Sequence, residues 1–251
     1  MVTSPAPTRS TRDLLLDTAE RLYAERGLAQ VSNRQIAEAA GQANNSVVAY
    51  HVGTKADLVA ALCARQAGPV EQATRAMVAA LRGTDAGPRD HVASLVAPFV
   101  RLLAARGREA GHGQPSWAAR FAAQVLADPV YGPRTLWRAE LTAAHREASA
   151  AAWSAAPPVP AEVVELRLQM MRIVVVHTCA EQEGAAAARG TTVDWAGVEA
   201  ALVDAVTGML LAPVGAGQPG TRATPGIAEL PDPVDPPRHR RRAQRPARIG
   251  R

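Results

Sequence analysis

Apolar residues recur at helical spacing from near residue 10 to residue 212. The first stripe consists of Leu14, Leu15, Thr18, Ala19, Leu22 and Tyr23. Beyond the separator Gly68-Pro69, longer stripes predict helices near 69–82, 90–107, 115–128, 132–155, 160–185 and 195–212. Polar and apolar residues do not alternate over a length that would make a sheet. The pattern therefore predicts an all-α fold.

Residues 9–68 are divided into four short helical segments by their own start and stop signals. Each of three starts has a hydroxyl residue followed three positions later by an acid or an amide, namely Ser10 and Asp13, Ser32 and Gln35, and Thr54 and Asp57. We expect the third segment to begin near Asn44 or Asn45 and to end at His51. Two short helices, 33–40 and about 45–51, joined by a turn at Gly41, have the layout of a helix-turn-helix.

Charge is concentrated at the carboxyl end. Residues 213–251 hold eight Arg and three acidic residues, whereas 20 Lys and Arg balance 20 Asp and Glu in the rest of the chain. Because this segment is also rich in Pro and Gly, we predict that 213–251 is disordered, and we predict the same for 1–8. The tail is interpreted either as a solvated extension or as a basic arm that attracts DNA.

Few cysteines and the lack of long apolar runs indicate the compartment. Cys63 and Cys179 are far apart, which argues against a disulfide scaffold. No run reaches the roughly 18 apolar residues of a membrane span. We therefore expect a cytoplasmic protein with no membrane partner. A redox role for the two cysteines is the weaker interpretation, because a lone buried thiol is usually inert.

Three runs in order resemble the tetracycline-repressor (TetR) family. Its first, second and recognition helices are similar to the runs Ala19–Gly27 (AERLYAERG), Asn33–Gly41 (NRQIAEAAG) and Val47–Leu58 (VVAYHVGTKADL). The resemblance covers about residues 9–68 and implies an N-terminal three-helix DNA-binding domain. A helical ligand-binding and dimerisation domain is then expected over 69–212. The turn is one residue longer than the family's commonest turn, so the register of the recognition helix is defined to within one residue.

The resemblance also implies roles for individual residues. Base edges are expected to be read by Asn44, Asn45, Ser46 and Ala49, whereas Tyr50, His51 and Lys55 are expected to hold phosphates and Arg34 to lie in the same interface. Asn can pair with adenine and Ser with several base edges. Lys55 opens a helix, where exposed N–H groups favour a phosphate. The partner implied is double-stranded operator DNA, bound by a homodimer, and the resemblance thereby implies association with the bacterial nucleoid.

Two interpretations remain open for the second domain. The side chains that could contact a small effector either line a cavity for it or belong to the ordinary core. These candidate residues are Phe99, Trp117, Arg120, Phe121, Trp137, Met170, Met171 and His177. The apolar rows on 160–185 and 195–212 either form the dimer interface, as the resemblance implies, or pack within one monomer. The effector itself is not identified by the sequence.

Other function classes have weaker support. Residues 215–220 match GxGxxG, but they follow a helix and open the Pro-rich tail, so we reject a dinucleotide site. We expect no enzymatic activity, no cofactor and no metal site, since the histidines and cysteines are scattered. The alternative to an operator-binding repressor is a protein that binds nucleic acid through its basic tail, irrespective of sequence.

Overall fold

The computed structural model of the chain describes residues 10–44, 46–110, 116–132 and 143–214. Within these ranges the protein consists of helices and contains no strand, which confirms the all-α prediction. The helices are α1 (Thr11–Arg26), α2 (Asn33–Ala39), α3 (Val47–His51), α4 (Lys55–Leu81), α5 (Pro88–Ala110), α6 (Ala118–Ala127), α7 (Ala143–Ser154), α8 (Ala161–Arg189) and α9 (Trp195–Leu211). Both segments predicted to be disordered lie outside the described residues, apart from Pro213 and Val214.

The helix break expected at Gly68-Pro69 is absent, because α4 continues through both residues to Leu81. Pro69 has no N–H to donate to the preceding turn, and proline inside a helix is normally unfavourable. Tertiary packing outweighs this cost, since buried residues occur on both sides of the proline, Leu62 before it and Val78 after it. The domain boundary that we placed after residue 68 therefore falls inside a continuous helix.

The first three helices, with the start of α4, form one unit. We call it the reading head, after the DNA-binding role that the sequence resemblance implies. Its core contains fully buried side chains from each helix, including Leu16 and Tyr23 of α1, Ile36 of α2, Val48 of α3 and Leu58 of α4. Two further members of this core, Phe121 and Val125, belong to α6. The reading head therefore shares its core with the rest of the protein.

A second core joins α5, α6, α8 and α9. Val96 and Leu103 of α5 pack there with Met171 of α8 and Val206 of α9. The Arg167 guanidinium donates to the carbonyls of Leu210 and Ala212 at 3.0 and 2.6 Å, which satisfies carbonyl groups at the end of α9. Ion pairs at the surface, such as Arg101 with Glu199 at 2.7 Å, add a further tie between α5 and α9.

Over the part of the chain that is described, each helix is too short or too polar to cross a lipid bilayer.

Candidate nucleic-acid interface

The turn between α2 and α3 has a backbone that favours glycine. Gly41 has a φ of +69°, and the N–H of Gln42 donates to the carbonyl of Ala37 at 2.9 Å. This hydrogen bond closes the end of α2, and the positive φ of Gly41 turns the chain toward α3. The predicted stop at Gly41 is thereby confirmed, and the two helices are held at a fixed turn.

The side chain of Asn44 closes a turn just before α3, whose N-cap residue is Ser46. Its Oδ1 accepts hydrogen bonds from the backbone N–H of Ser46 at 2.9 Å and from the Ser46 hydroxyl at 2.7 Å. The helix begins at Val47, two or three residues later than expected. Bidentate pairing with adenine needs the amide oxygen as an acceptor, and here two donors already occupy it. Asn44 is therefore better suited to supporting α3 than to reading adenine.

The outer face of α3 carries small, aromatic and imidazole groups. Ala49 is exposed, Tyr50 is 85% exposed, and His51 is half-buried. The rings of Tyr50 and His51 meet edge to face, with centroids 4.9 Å apart. Val48 is fully buried and anchors the helix to the core. The expected base reader Asn45 lies outside the described residues.

The start of α4 is held by a full capping box. Thr54 Oγ1 accepts from the N–H of Asp57 at 3.2 Å, and Asp57 Oδ2 accepts from the Thr54 N–H at 2.8 Å. Hydrogen bonds from the Thr54 hydroxyl and backbone lower the pKa of Asp57. Lys55 is half-buried, with its Nζ 6.0 Å from the ring centroid of Tyr23. The ammonium group therefore lies near Tyr23 of α1, and the Asp57 carboxylate in the first turn of α4 opposes an anion there.

Two contacts of the interface were not expected from the sequence. Asn33 Nδ2 donates to the carbonyl of Gly53 at 3.3 Å, which ties the start of α2 to the turn before α4. Arg34 is exposed and pairs with Glu38 at 2.8 Å on the same helix. An exposed pair of this kind holds the guanidinium only weakly, so Arg34 can exchange Glu38 for a phosphate.

The residues expected to line an effector cavity are spread over three places. Phe121 is buried in the core of the reading head, 6.2 Å from the ring centroid of Tyr23. Trp117 is half-buried beside that core, and the Arg120 guanidinium carbon lies 4.2 Å from its ring centroid. The hydroxyl group of Tyr23 is buried, and burial raises its pKa.

The other candidates lie on α5 and α8. Met171 is buried in the second core and Phe99 packs against it, whereas Met170 and His177 are exposed. Trp137 lies outside the described residues. A groove of about 480 Å³ between α8 and α9 is lined by none of the candidates that are described. An effector role for these residues stays a prediction, and the exposure of Met170 and His177 fits a surface better than a cavity.

Cys179 does not sit in a site suited to thiol chemistry. Cys63 is half-buried and Cys179 is fully buried. Burial, together with the carboxylate of Glu183, raises the pKa of Cys179 to about 12, so this thiol stays protonated. Across the residues that the structure describes, no three His, Cys, Asp or Glu side chains are grouped to hold a metal ion.

Comparison with known proteins identifies the reading head. Residues 15–62 match the family model described as bacterial regulatory proteins of the tetR family. Among solved structures, the TetR family transcriptional regulator PfmR from Thermus thermophilus is 15% identical, with a TM-score of 0.50 over 83% of this chain and 100% of that one. Mycobacterium smegmatis AmtR is 22% identical, with a TM-score of 0.48 over 84% of this chain and 100% of that one. No curated protein matches the chain.

Gly53 and Gly41 provide a matched pair for testing the geometry of the interface. A Cβ on Gly53, where φ is +117°, would lie 2.5 Å from Asp57 Oδ2, whereas a Cβ on Gly41 would meet no atom within 4 Å. We expect G41A to lower the free energy of unfolding by about 1 kcal/mol and G53A by more than about 2 kcal/mol. Urea unfolding measures both values, and equal losses in the two variants would contradict the role of the Asp57 contact.

Proposed function

We propose that this chain, whose residues 15–62 match the model of the tetR family of bacterial regulatory proteins, represses transcription as a ligand-released homodimer. The observation that carries the proposal is the exposed face of α3, presented by a fixed turn next to Lys55. A helix of this kind enters the major groove of DNA. Its chromosomal target would place the protein in the bacterial cytoplasm.

The side chains at this surface are proposed to make two kinds of DNA contact. Lys55, Tyr50 and His51 supply donors that suit phosphate oxygens, and such contacts position the protein without reading bases. Ser46 and the methyl group of Ala49 suit base edges, the latter a thymine methyl. Asn45 is proposed as the principal base reader, since the Asn44 oxygen is engaged by Ser46.

The homodimer is proposed to form through α8 and α9. On α8, Leu166, Met170 and Ile173 are 53%, 45% and 48% exposed and follow helical spacing on one face. The groove beside them, about 480 Å³, is lined on α9 by small residues that include Gly197, Ala201 and Ala205. Exposed apolar side chains grouped on one face are typical of surfaces that pack against another protein. A second copy would present a second reading head, which a near-palindromic operator requires.

A small, largely apolar effector is proposed to bind among α5, α6 and α8. The half-buried side chains of Phe99, Trp117 and Arg120 lie on these helices and offer aromatic surface with one cation. Binding at α6 would act on the core of the reading head, because Phe121 of α6 is part of it. Release from DNA needs only a preference of the effector for a conformation in which the two heads are wrongly spaced.

The first prediction from the proposed function concerns operator binding. Footprinting of the DNA next to the protein's own gene is expected to reveal a near-palindromic site that survives competition by random DNA.

K55A is expected to weaken binding to operator and random DNA by the same factor and to reduce the salt slope by about one. N45A is expected to relax preference at one base pair by about 1–3 kcal/mol.

The rival function has a separate signature in the same experiment. If deletion of 213–251 abolishes all DNA binding while K55A and N45A change nothing, the basic tail is the binding element. The protein would then bind nucleic acid irrespective of sequence.

The second prediction concerns the dimer. M170E adds a carboxylate to the exposed face of α8, and it is expected to weaken self-association by more than about tenfold, because the charge would be buried without a partner. A80E adds the same charge to an exposed position of α4 and is the matched control. Sedimentation equilibrium measures both variants. A dimer of unchanged strength in M170E would place the interface elsewhere.

The third prediction concerns the effector. When a panel of small apolar compounds is titrated, those that quench the fluorescence of Trp117 are expected to weaken operator binding by about 5- to 150-fold. The variant W117F identifies the contribution of this residue to the signal. Compounds that quench Trp117 and leave operator affinity unchanged would refute ligand release through this part of the protein.

A further inference from the structure

A buried chain of hydrogen bonds connects α8 to the reading head by way of α6. These hydrogen bonds run from the carboxylate of Glu183 on α8 to the first turn of α6, then to Gln66 on α4 and Glu20 on α1. Glu183, Gln66 and Glu20 are 2%, 8% and 6% exposed. Groups so well shielded from water depend on one another for their hydrogen bonds.

The first turn of α6 depends on Glu183 for a cap. The residue at the N-cap position is Trp117, whose side chain makes no capping hydrogen bond. Glu183 supplies the acceptors instead, with Oε1 3.3 Å from the N–H of Ala119 and Oε2 2.9 Å from the N–H of Arg120. The remaining N–H of the turn, on Ala118, donates to the Ser116 hydroxyl at 3.3 Å. Without Glu183, two buried donors of α6 would lose their partner.

Arg120 compensates the charge of Glu183. Its Nε lies 3.4 Å from Glu183 Oε2, and its Nη2 donates to the carbonyl of Ser116 at 3.0 Å. The positive end of the α6 dipole adds to this stabilisation. A buried carboxylate is tolerated only when it is paired and hydrogen-bonded, so the position of α6 relative to α8 is restricted to one that keeps these contacts.

Gln66 carries the contact from α6 to the reading head. Its Nε2 donates to the carbonyl of Ala118 at 3.2 Å and to Glu20 Oε1 at 3.1 Å. Arg65, the residue before it, donates to Glu20 Oε2 at 2.9 Å and to Asp17 Oδ1 at 2.7 Å. The amide group of Gln66 therefore has both of its hydrogens engaged, one on each side of the junction.

We propose that Glu183 and Gln66 are positioning residues that fix the orientation of the reading head relative to α8. Neither residue lies on the exposed face of α3, so their effect on DNA is indirect. The apolar contact of Phe121 with Tyr23 tolerates small rotations, because dispersion has little directionality, whereas the hydrogen bonds do not. This inference rests on the proposed function, in which α8 also forms the dimer and its geometry sets the distance between the two heads.

The test compares E183A and Q66L with a matched control in the full-length protein. S94A removes a buried hydroxyl whose hydrogen bond, 2.7 Å to the carbonyl of His91, stays within α5. E183Q is the conservative variant, because its amide oxygen retains one acceptor for the first turn of α6. Thermal unfolding of all four variants separates loss of stability from loss of positioning.

The first measurement is the preference for half-site spacing. Operator duplexes are made in which the distance between half-sites is changed by one base pair, and the ratio of the dissociation constants gives the preference. E183A and Q66L are expected to reduce this ratio by about tenfold, E183Q by less, and S94A not at all. Simple destabilisation would lower the active fraction without changing the ratio. Unchanged ratios in E183A and Q66L would overturn the proposal.

The second measurement needs no DNA. Amide hydrogen exchange in α1 and in the first turn of α6 is expected to become at least about tenfold faster in E183A than in the wild type, and to stay unchanged in S94A. Equal exchange in E183A and S94A would overturn the proposal on its own. If the wild type shows no preference between operator and random DNA, the proposed function fails, and the exchange measurement still decides whether Glu183 positions the head.

Discussion

The structure depends on the packing of α6 in the core of the reading head. Phe121 and Val125 of this helix complete a core that also contains side chains from α1 to α4. A helix end placed in the interior brings unpaired N–H groups with it, and these need acceptors in the same location. Glu183 of α8 supplies them, at 3.3 and 2.9 Å. Completing the apolar core of the head and capping α6 are therefore linked requirements, and together they make the orientation of the head depend on α8.

The long helix α4 links the two parts of the protein. Its first half belongs to the core of the reading head, through Leu58 and Leu62, and its second half packs on α5 and α7. Arg65 and Gln66, which hold the bonds to α1 and α6, lie just before Pro69, where the helix lacks one backbone donor. The polar contacts to the head are thus concentrated next to Pro69, where α4 lacks one backbone hydrogen bond. A displacement of α6 would act on the head through Gln66, close to a position where the helix can bend.

The sequence predicted those features that depend on neighbouring residues. The capping boxes at Ser32 and Thr54 and the positive φ at Gly41 are local, so the reading head and its helix-turn-helix followed from them. For Trp117 and Phe121 the sequence left a cavity and the ordinary core open, because spacing does not tell which surface an apolar face contacts, and Phe121 packs in the core of the head. Likewise, neither Glu183 nor Gln66 could be singled out, because their partners are 45 or more residues away. The break expected at Gly68-Pro69 was wrong because tertiary packing overrides local preference.

Formal charge gives a poor measure of how the head meets DNA, and the contacts of the acidic residues explain why. The carboxylates of Asp17 and Glu20 are bound to Arg65 at the junction with α6, and Asp57 is bound to Thr54 in a capping box. Those carboxylates are engaged in contacts within the protein. A nearly neutral composition in residues 1–68 is therefore compatible with a DNA-binding surface. In the proposed homodimer, discrimination among sites comes from base contacts and from the spacing of the two heads. Glu20 has both effects, because its buried carboxylate lowers the net charge of the head while its Oε1 accepts from Gln66 Nε2 at the junction with α6.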